Sequence, residues 1–263
     1  MRLDLLAALS GVLISLQTRA NGELSHLLNN GLEAALVSFG SGLIIILLIT
    51  PFHPHIKEGI TNLREAVARK EIAKWKLLAG ALGGSFVAIQ TQVVPLIGVA
   101  IYSVASIAGQ TAMSLIVDRI GLTGGGKKLI SPRRIAAASI TVLAVLVSVL
   151  DRINANNVSK FAVIGGCIAG ALVGFRSALN GEINEHSHQS FTTSLLNFIT
   201  GTTFLIILMA GGLLLGKIHF SALPSGPWWI YTGGVLGVVY IAFISTIVQH
   251  LGVLTFTLFS VGG

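Results

Sequence analysis

The sequence predicts an all-α polytopic membrane protein that is built from two inverted five-helix repeats. Hydrophobic residues make up 53% of its 263 residues and charged residues only 10%, whereas a soluble domain carries about 25% charged residues. The apolar stretches are about 18–24 residues long, enough at 1.5 Å per residue to cross a hydrocarbon core of roughly 30 Å. Sequence motifs also recur between the two halves of the chain. Together these features indicate a duplicated membrane unit, which is an architecture typical of transporters.

The repeat appears at two constant offsets. Asn21-Gly22-Glu23 returns as Asn180-Gly181-Glu182, 159 residues later, and Trp75 returns as Trp229, 154 residues later. At the second offset Gly98-Val99 returns as Gly252-Val253. A shortened loop between the two blocks accounts for the change of offset.

Eight complete spans and the start of a ninth follow from the hydropathy. We expect the complete spans at 3–20, 32–51, 74–94, 96–118, 133–150, 161–180, 191–215 and 228–249. The first repeat covers 1–150, and the second, 161–263, stops at the counterpart of Gly109. We therefore expect a ten-helix design whose second repeat is cut short after about helix 9, by roughly 40 residues at the helix lengths of the first copy. A natural nine-helix protein is the alternative.

Basic residues predict the orientation, because cationic loops resist translocation. With the N-terminus in the cytoplasm, twelve Lys and Arg residues lie inside and four outside. The outer four are Arg19, Arg152, Lys160 and Lys217, and the inner ones include Arg2 and Lys128. Five helices per copy is an odd number, so the second copy must enter the membrane inverted. The basic loop 52–74 corresponds to 216–228, which keeps Lys217 alone. Charge alternates with apolar positions over 56–73, so we expect an interfacial helix within the 52–74 loop.

Other classes of function find little support in the sequence. The basic residues lie in interhelical loops without interleaved aromatic residues, so no nucleic-acid partner is expected. The histidine pairs at 53–55 and 186–188 lack further ligands, and neither a metal site nor a cofactor is predicted. Cys167 is the single cysteine, which excludes an internal disulfide. No Ser/His/Asp or His/Glu set lies near a helix end, so the chain is not expected to be an enzyme.

Polar side chains within the spans are the candidates for a substrate site, because an unpaired amide is costly to bury. We expect a central cavity to be lined by Gln17, Asn21, Gln90, Gln92, Tyr102, Ser106, Gln110, Arg176, Asn180, Asn197 and Tyr240. The alternative for each residue is interhelical hydrogen bonding without contact to a ligand.

Arg176 is the basic residue that is assigned to neither side of the membrane, because it falls within a predicted span. Its side chain either reaches the membrane interface or faces the cavity and attracts an anionic substrate. No Asp or Glu is expected at the middle of the bilayer. A proton antiporter usually carries such a carboxylate as its relay, so the sequence favours facilitated movement or exchange.

Three motifs carry a resemblance to a known family. They are Asn-Gly-Glu-Leu at 21–24, Ser-Phe-Gly-Ser-Gly at 38–42, and Ala-Gly-Gln-Thr-Ala-Met-Ser-Leu-Ile-Val-Asp-Arg-Ile-Gly at 108–121. With these motifs the chain resembles, over nearly its whole length, the YdcZ-like branch of the drug/metabolite transporter superfamily. The resemblance implies a ten-helix carrier of the bacterial inner membrane that works by alternating access.

The expected function is therefore secondary, ATP-independent transport, as an exporter of a small organic metabolite or drug. The alternatives are a non-transporting membrane scaffold and a protein that needs a partner to complete its helical bundle. The expected partners are the lipid bilayer and a small-molecule substrate, and the sequence leaves a homodimer open.

Overall fold

A computed structural model describes residues 3–123, 126–127, 129–148, 159–216 and 218–261. Within these ranges the chain is all-helical and has no strand. The helices are α1 (Leu3–Leu28), α2 (Gly31–Ile49), α3 (Pro54–Ala68), α4 (Ala79–Ile120), α5 (Pro132–Ser148), α6 (Lys160–Ser187), α7 (Ser190–Leu214), α8 (Gly233–Leu251) and α9 (Val253–Val261). Arg2, Lys128, Arg152, Lys217 and Gly263, which enter the predictions above, lie outside the described residues.

Five stretches of the described chain are long and apolar enough to cross a membrane. They are Gly31–Phe52, Lys74–Ile120, Lys160–Ser187, Ser190–Leu214 and Gly233–Leu251. The predicted span at 3–20 is the first part of the longer helix α1, which continues to Leu28. The predicted span at 133–150 corresponds to α5, of which 17 residues are described.

Helix α4 consists of two helices joined at Gly98. Its 42 residues would extend about 63 Å, twice the thickness of a hydrocarbon core. Gly98 interrupts it with φ 76° and ψ 159°, a conformation that essentially only glycine adopts. We call residues 79–97 α4a and residues 99–120 α4b. These two helices correspond to the separate spans predicted at 74–94 and 96–118.

The contacts with α6 show that the chain reverses at Gly98. Along α4a the order is opposite to that of α6, because Gly83 lies beside Arg176 and Val93 beside Gly165. Along α4b the order is the same, because Ala105 lies beside Gly166 and Gln110 beside Gly174. Helices α4a and α4b therefore run antiparallel to one another.

Gly252 separates α8 from α9 in the same way, with φ 80° and ψ 161°. Asp118, at the end of α4b, caps the start of α9: its carboxylate accepts hydrogen bonds from the backbone N–H groups of Val253, at 2.9 Å, and Leu254, at 3.2 Å. Arg134 pairs with the same carboxylate. Farther along, Gln110 donates to Thr257 at 3.2 Å. The order of these contacts means that α4b and α9 run antiparallel.

The two halves pack into one another through reciprocal contacts. Gly42 of the first half lies against the Phe198 ring, and Gly201 of the second half lies against the Phe39 ring, so a Cβ at either glycine would overlap the ring. The Phe39 and Phe198 rings meet at a centroid distance of 5.3 Å. These residues are the repeat pairs at the offset of 159, and each contact is matched by its counterpart.

Close contacts between helix backbones are also reciprocal between the two halves. A Cβ at Gly11 would overlap the carbonyl oxygen of Ser260, and a Cβ at Gly170 would overlap that of Ser106. The small residues of α1 and α6 therefore allow these helices to touch the α9 and α4b backbones of the opposite half. Such close approach is how membrane helices gain van der Waals packing without a hydrophobic driving force.

Helix α3 lies within the 52–74 loop and packs on the second half. Its buried side includes Ile56 and Leu63. The hydroxyl of Thr192 donates to the Ile56 carbonyl at 3.1 Å, and the Asn62 amide donates to the Ser187 carbonyl at 3.4 Å. The helix is therefore tied to the junction of α6 and α7. Its place at the cytoplasmic membrane surface stays a prediction.

Candidate functional site

A small polar cavity lies at the centre of the bundle, where both halves contribute side chains. Its volume is about 10 Å³, room for about one water molecule. The lining residues are Gln17, Phe39, Phe86, Val87, Arg176, Phe198, Gly237, Tyr240 and Ile241. Three of them, Gln17, Arg176 and Tyr240, are among the sequence-predicted site residues.

Arg176 is buried in this centre, with only 4% of its surface exposed. Its guanidinium carbon lies 5.8 Å from the centroid of the Tyr240 ring. Gly83 leaves space for the side chain, because a Cβ at that position would come within 2.5 Å of the Arg176 Nη1 atom. Within the described ranges no carboxylate lies within 4.0 Å of the guanidinium, and its Nε has no hydrogen-bond acceptor. The Arg176 side chain is therefore buried at the cavity, and its attraction of an anionic substrate stays a prediction.

Gln17 occupies the matching place on the first half. Its amide Nε2 donates to the Gly233 carbonyl at 3.0 Å, and a Cβ at Gly237 would lie 2.7 Å from the same nitrogen. Gly237 thus makes room for Gln17 as Gly83 does for Arg176. The two halves differ in charge at this point, since one offers a neutral amide and the other a cation.

Buried amides flank the centre on both sides. Asn197 donates through Nδ2 to the Asn180 Oδ1 at 2.7 Å and to the Thr193 carbonyl at 2.9 Å. In the first half, the matching positions are Asn21 and Ser38, which meet at Gly233. Neither amide atom of Asn21 nor the Ser38 hydroxyl has a hydrogen-bond partner in the described part of the chain. This pair therefore holds unused hydrogen-bonding capacity.

A second group of predicted residues lines a separate cleft of about 260 Å³ between α1, α4 and α9. Gln90, Tyr102, Ser106 and Gln110 all border it. Gln90 donates to the Thr18 hydroxyl at 3.0 Å. Phe86 borders both this cleft and the central cavity, so its ring lies between the two spaces.

Gln92 is placed apart from the other candidates. It is exposed on the outside of α4a and borders neither the cavity nor the cleft. Residues two apart on a helix point to different faces, so Gln90 and Gln92 cannot both face the centre. Conversely, Phe39, Phe86 and Phe198 line the cavity but were not among the sequence-predicted residues. The recurrence of Phe39 as Phe198 was the available signal.

The repeated tryptophan of each half contacts the opposite half. The first set, which we call the Trp75 cluster, comprises Trp75, Lys76, Phe175 and Glu182. The Trp75 and Phe175 rings stack at 6.3 Å with an interplanar angle of 14°. Lys76 and Glu182 form an ion pair of 2.6 Å, with side chains only 19% and 11% exposed.

The second set, the Trp229 cluster, comprises Leu16, Arg19 and Trp229. The Arg19 guanidinium lies 5.3 Å from the centroid of the Trp229 ring, and Leu16 borders the same cleft as Trp229. Leu16 is the counterpart of Phe175 in the repeat. The central glycines Gly83 and Gly237 each follow the tryptophan of their own half by eight residues, about 12 Å of helix. Each tryptophan therefore lies about two helical turns from the glycine that borders the central side chains in its own half.

The comparisons with known proteins agree with this architecture. The model of a family described as "Putative inner membrane exporter, YdcZ" matches residues 3–147 and 161–263. No curated protein and no solved structure matches the chain. The family match covers both halves, including the central residues and both tryptophan clusters. The chain therefore belongs to the YdcZ family of the drug/metabolite transporter superfamily and is a multi-pass membrane protein of the exporter type.

Proposed function

We propose that the protein is a secondary transporter that exports a small organic molecule by alternating access. The observation that carries the proposal is a central cavity to which both halves contribute polar side chains, in a fold where the repeated tryptophan of each half contacts the other half. In this arrangement the substrate binds at Gln17, Arg176 and Tyr240. The Trp75 cluster and the Trp229 cluster then open in turn.

The proposal includes an inverted orientation of the two halves. Helices α4b and α9 are counterparts in the repeat, and the order of their contacts supports opposite directions, since Asp118 meets Val253 and Gln110 meets Thr257. Two copies that cross the membrane in opposite senses can exchange conformations, so that the structure of one half in the inward state becomes that of the other half in the outward state.

Orientation assigns each cluster to a side. We propose a cytoplasmic N-terminus, as the distribution of Lys and Arg predicts. Helix α3 and its basic residues then lie at the cytoplasmic face, together with the Trp75 cluster. The Trp229 cluster lies at the outer face. In the present conformation the residues within each cluster contact one another, and the central cavity is nearly filled. This supports an occluded state.

Access to the centre from each side of the membrane can be measured whatever the substrate is, and this tests the function. Cys167 is replaced by Ala, and Gln17→Cys then places a single thiol in the centre. A membrane-impermeant thiol reagent is added to whole cells in one arm and to inside-out vesicles in the other. We expect labelling from both sides, because the inward-open state exposes the centre to the cytoplasm and the outward-open state exposes it to the outside.

Gln92→Cys in the same background is the matched control. It places the single thiol on the exposed face of α4a, where surrounding lipid should exclude the reagent. Labelling of Gln17→Cys from one side only, or from neither side, would contradict alternating access. The second of these results would favour the scaffold alternative, in which the centre stays closed.

A further inference from the structure

Arg176 is the exception among the buried charges of this protein. Four charged side chains are buried in the described ranges: Glu33, Asp118, Arg176 and Glu182. Glu182 pairs with Lys76, and Asp118 pairs with Arg134 and caps α9. Glu33 accepts hydrogen bonds from the Ser221 backbone at 3.1 Å and from the Asn30 amide at 3.2 Å. Each carboxylate therefore has a cation or hydrogen-bond donors around it, whereas Arg176 has no carboxylate within reach in the described part of the chain.

The contact with Tyr240 does not compensate for this burial. A desolvated cation–π interaction contributes about 2 kcal/mol, whereas the effective cost of burying an ion is several kcal/mol. The guanidinium also keeps an unused donor, because Nε has no acceptor. An arginine in this state gains most from an oxyanion, which can accept two parallel N–H donors from its planar fork.

The single positive charge of Arg176 limits the net charge of the ligand. A guanidinium without a carboxylate partner in the described part of the chain neutralises one negative charge, and a dianion would bring a second, uncompensated charge into the same space. The walls limit it further, since Phe39, Phe86, Phe198 and Tyr240 line the same cavity as the guanidinium. An apolar or ring-bearing body suits such walls, with the oxyanion directed at Arg176.

We propose that the substrate is a small organic monoanion, with a carboxylate or sulfonate group that pairs with Arg176 and an apolar body that packs among the aromatic rings. This proposal rests on the proposed function, because the present cavity must open to admit such a molecule. Gln17 provides a neutral amide in the same cavity, which is suited to a polar atom elsewhere on the ligand.

The test measures binding to the purified protein by titration calorimetry, with three probes of similar size. Benzenesulfonate is a permanent monoanion, benzenesulfonamide is its neutral analogue, and trimethylphenylammonium is a permanent cation. We expect benzenesulfonate to bind at least about tenfold more tightly than either of the others. We also expect Arg176→Gln to abolish this preference, and Arg176→Lys to retain part of it, since lysine keeps the charge but loses the fork.

Arg64→Gln is the matched control, because Arg64 is an exposed cation on α3 that does not line the central cavity. It should leave the affinity for benzenesulfonate unchanged. Tighter binding of the cation or the amide, no binding of any probe, or unchanged anion binding by Arg176→Gln would each overturn the proposal. If Arg176→Gln does not fold, the proposal is tested by two other results: the order of affinities of the three probes for the unaltered chain, and the affinities measured for Arg176→Lys.

The failure of this inference can be distinguished from failure of the proposed function. Two-sided labelling of Gln17→Cys does not depend on the charge of the substrate. If that labelling occurs while the anion preference is absent, alternating access stands and the monoanion proposal is wrong. If the labelling fails, the transport proposal is itself contradicted.

Discussion

At the scale of single residues, glycine determines how closely the two halves approach. Gly170 in α6 lies directly against the Ser106 carbonyl of α4b, where a Cβ would overlap backbone atoms. A backbone cannot move aside as the end of a flexible side chain can. In the sequence, Gly166, Gly170 and Gly174 recur every four residues, which places them on one helix face. The sequence does not identify the surface that contacts this face, because that depends on how the two halves pack.

We predict that Gly170→Ala lowers the stability of the detergent-solubilised protein by about 1–3 kcal/mol, the usual cost of overpacking a close contact. Gly40→Ala is the matched control, since a Cβ at Gly40 in α2 meets nothing within 4 Å. The control should be neutral or slightly stabilising, because alanine favours helix over glycine by about 1 kcal/mol. Thermal melts of both variants check this, and equal melting temperatures would contradict the packing argument.

The candidate site shows what residue-level reasoning could and could not predict. The repeat predicted that Gln17 and Arg176 occupy equivalent positions, and the structure brings both to one cavity. The burial of Arg176 was not predictable from its distance along α6. It depends on Gly83, a residue of another helix that leaves space for the guanidinium. Gln90 and Gln92 could have been separated in advance, because positions two apart lie on different helix faces.

At the scale of elements, two glycines reverse the chain without a loop. Gly98 and Gly252 hold nearly the same dihedral angles, at φ 76° and 80°. Both are counterparts in the repeat, so the sequence indicated that they are equivalent. Hydropathy predicted consecutive spans at 74–94 and 96–118, which must cross in opposite directions, but it did not identify Gly98 as the residue at which the chain reverses. Helix α1 continues past the predicted end at residue 20 as far as Leu28, and Asn21 within it is fully buried.

We predict that Gly252→Ala destabilises the protein by roughly 1–3 kcal/mol, since an L-residue is strained in this region of φ and ψ. Gly211→Ala in α7 is the control, because Gly211 has ordinary helical geometry and an open environment. The measurement is again thermal unfolding in detergent. If Gly252→Ala melts at the same temperature as the control, the reversal does not depend on a glycine at this position.

At the scale of the whole molecule, the all-helical membrane fold and the family were both predictable, because composition and repeated motifs carry that information. The way the halves interdigitate was not. Hydropathy locates each span along the chain but says nothing of its neighbours in space. The stacking of Trp75 on Phe175 and the contact of Trp229 with Arg19 join opposite halves, and both depend on that arrangement.

The central claim is that the two tryptophan clusters open in turn around one site. Glu182→Gln removes the ion pair of the Trp75 cluster, and Trp229→Ala removes the ring of the Trp229 cluster. Each change makes opening on its own side easier, and a shift of about 1.4 kcal/mol between two states changes their ratio tenfold.

The most direct measurement is therefore the rate at which Gln17→Cys is labelled from each side, in the Cys167→Ala background, with Glu182→Gln or Trp229→Ala added. We expect Glu182→Gln to raise labelling from the cytoplasmic side and lower it from the outer side, and Trp229→Ala to do the reverse. A rise on both sides with either variant would indicate an open pore, and no change with either would indicate a static core. Either of these results would contradict alternating access.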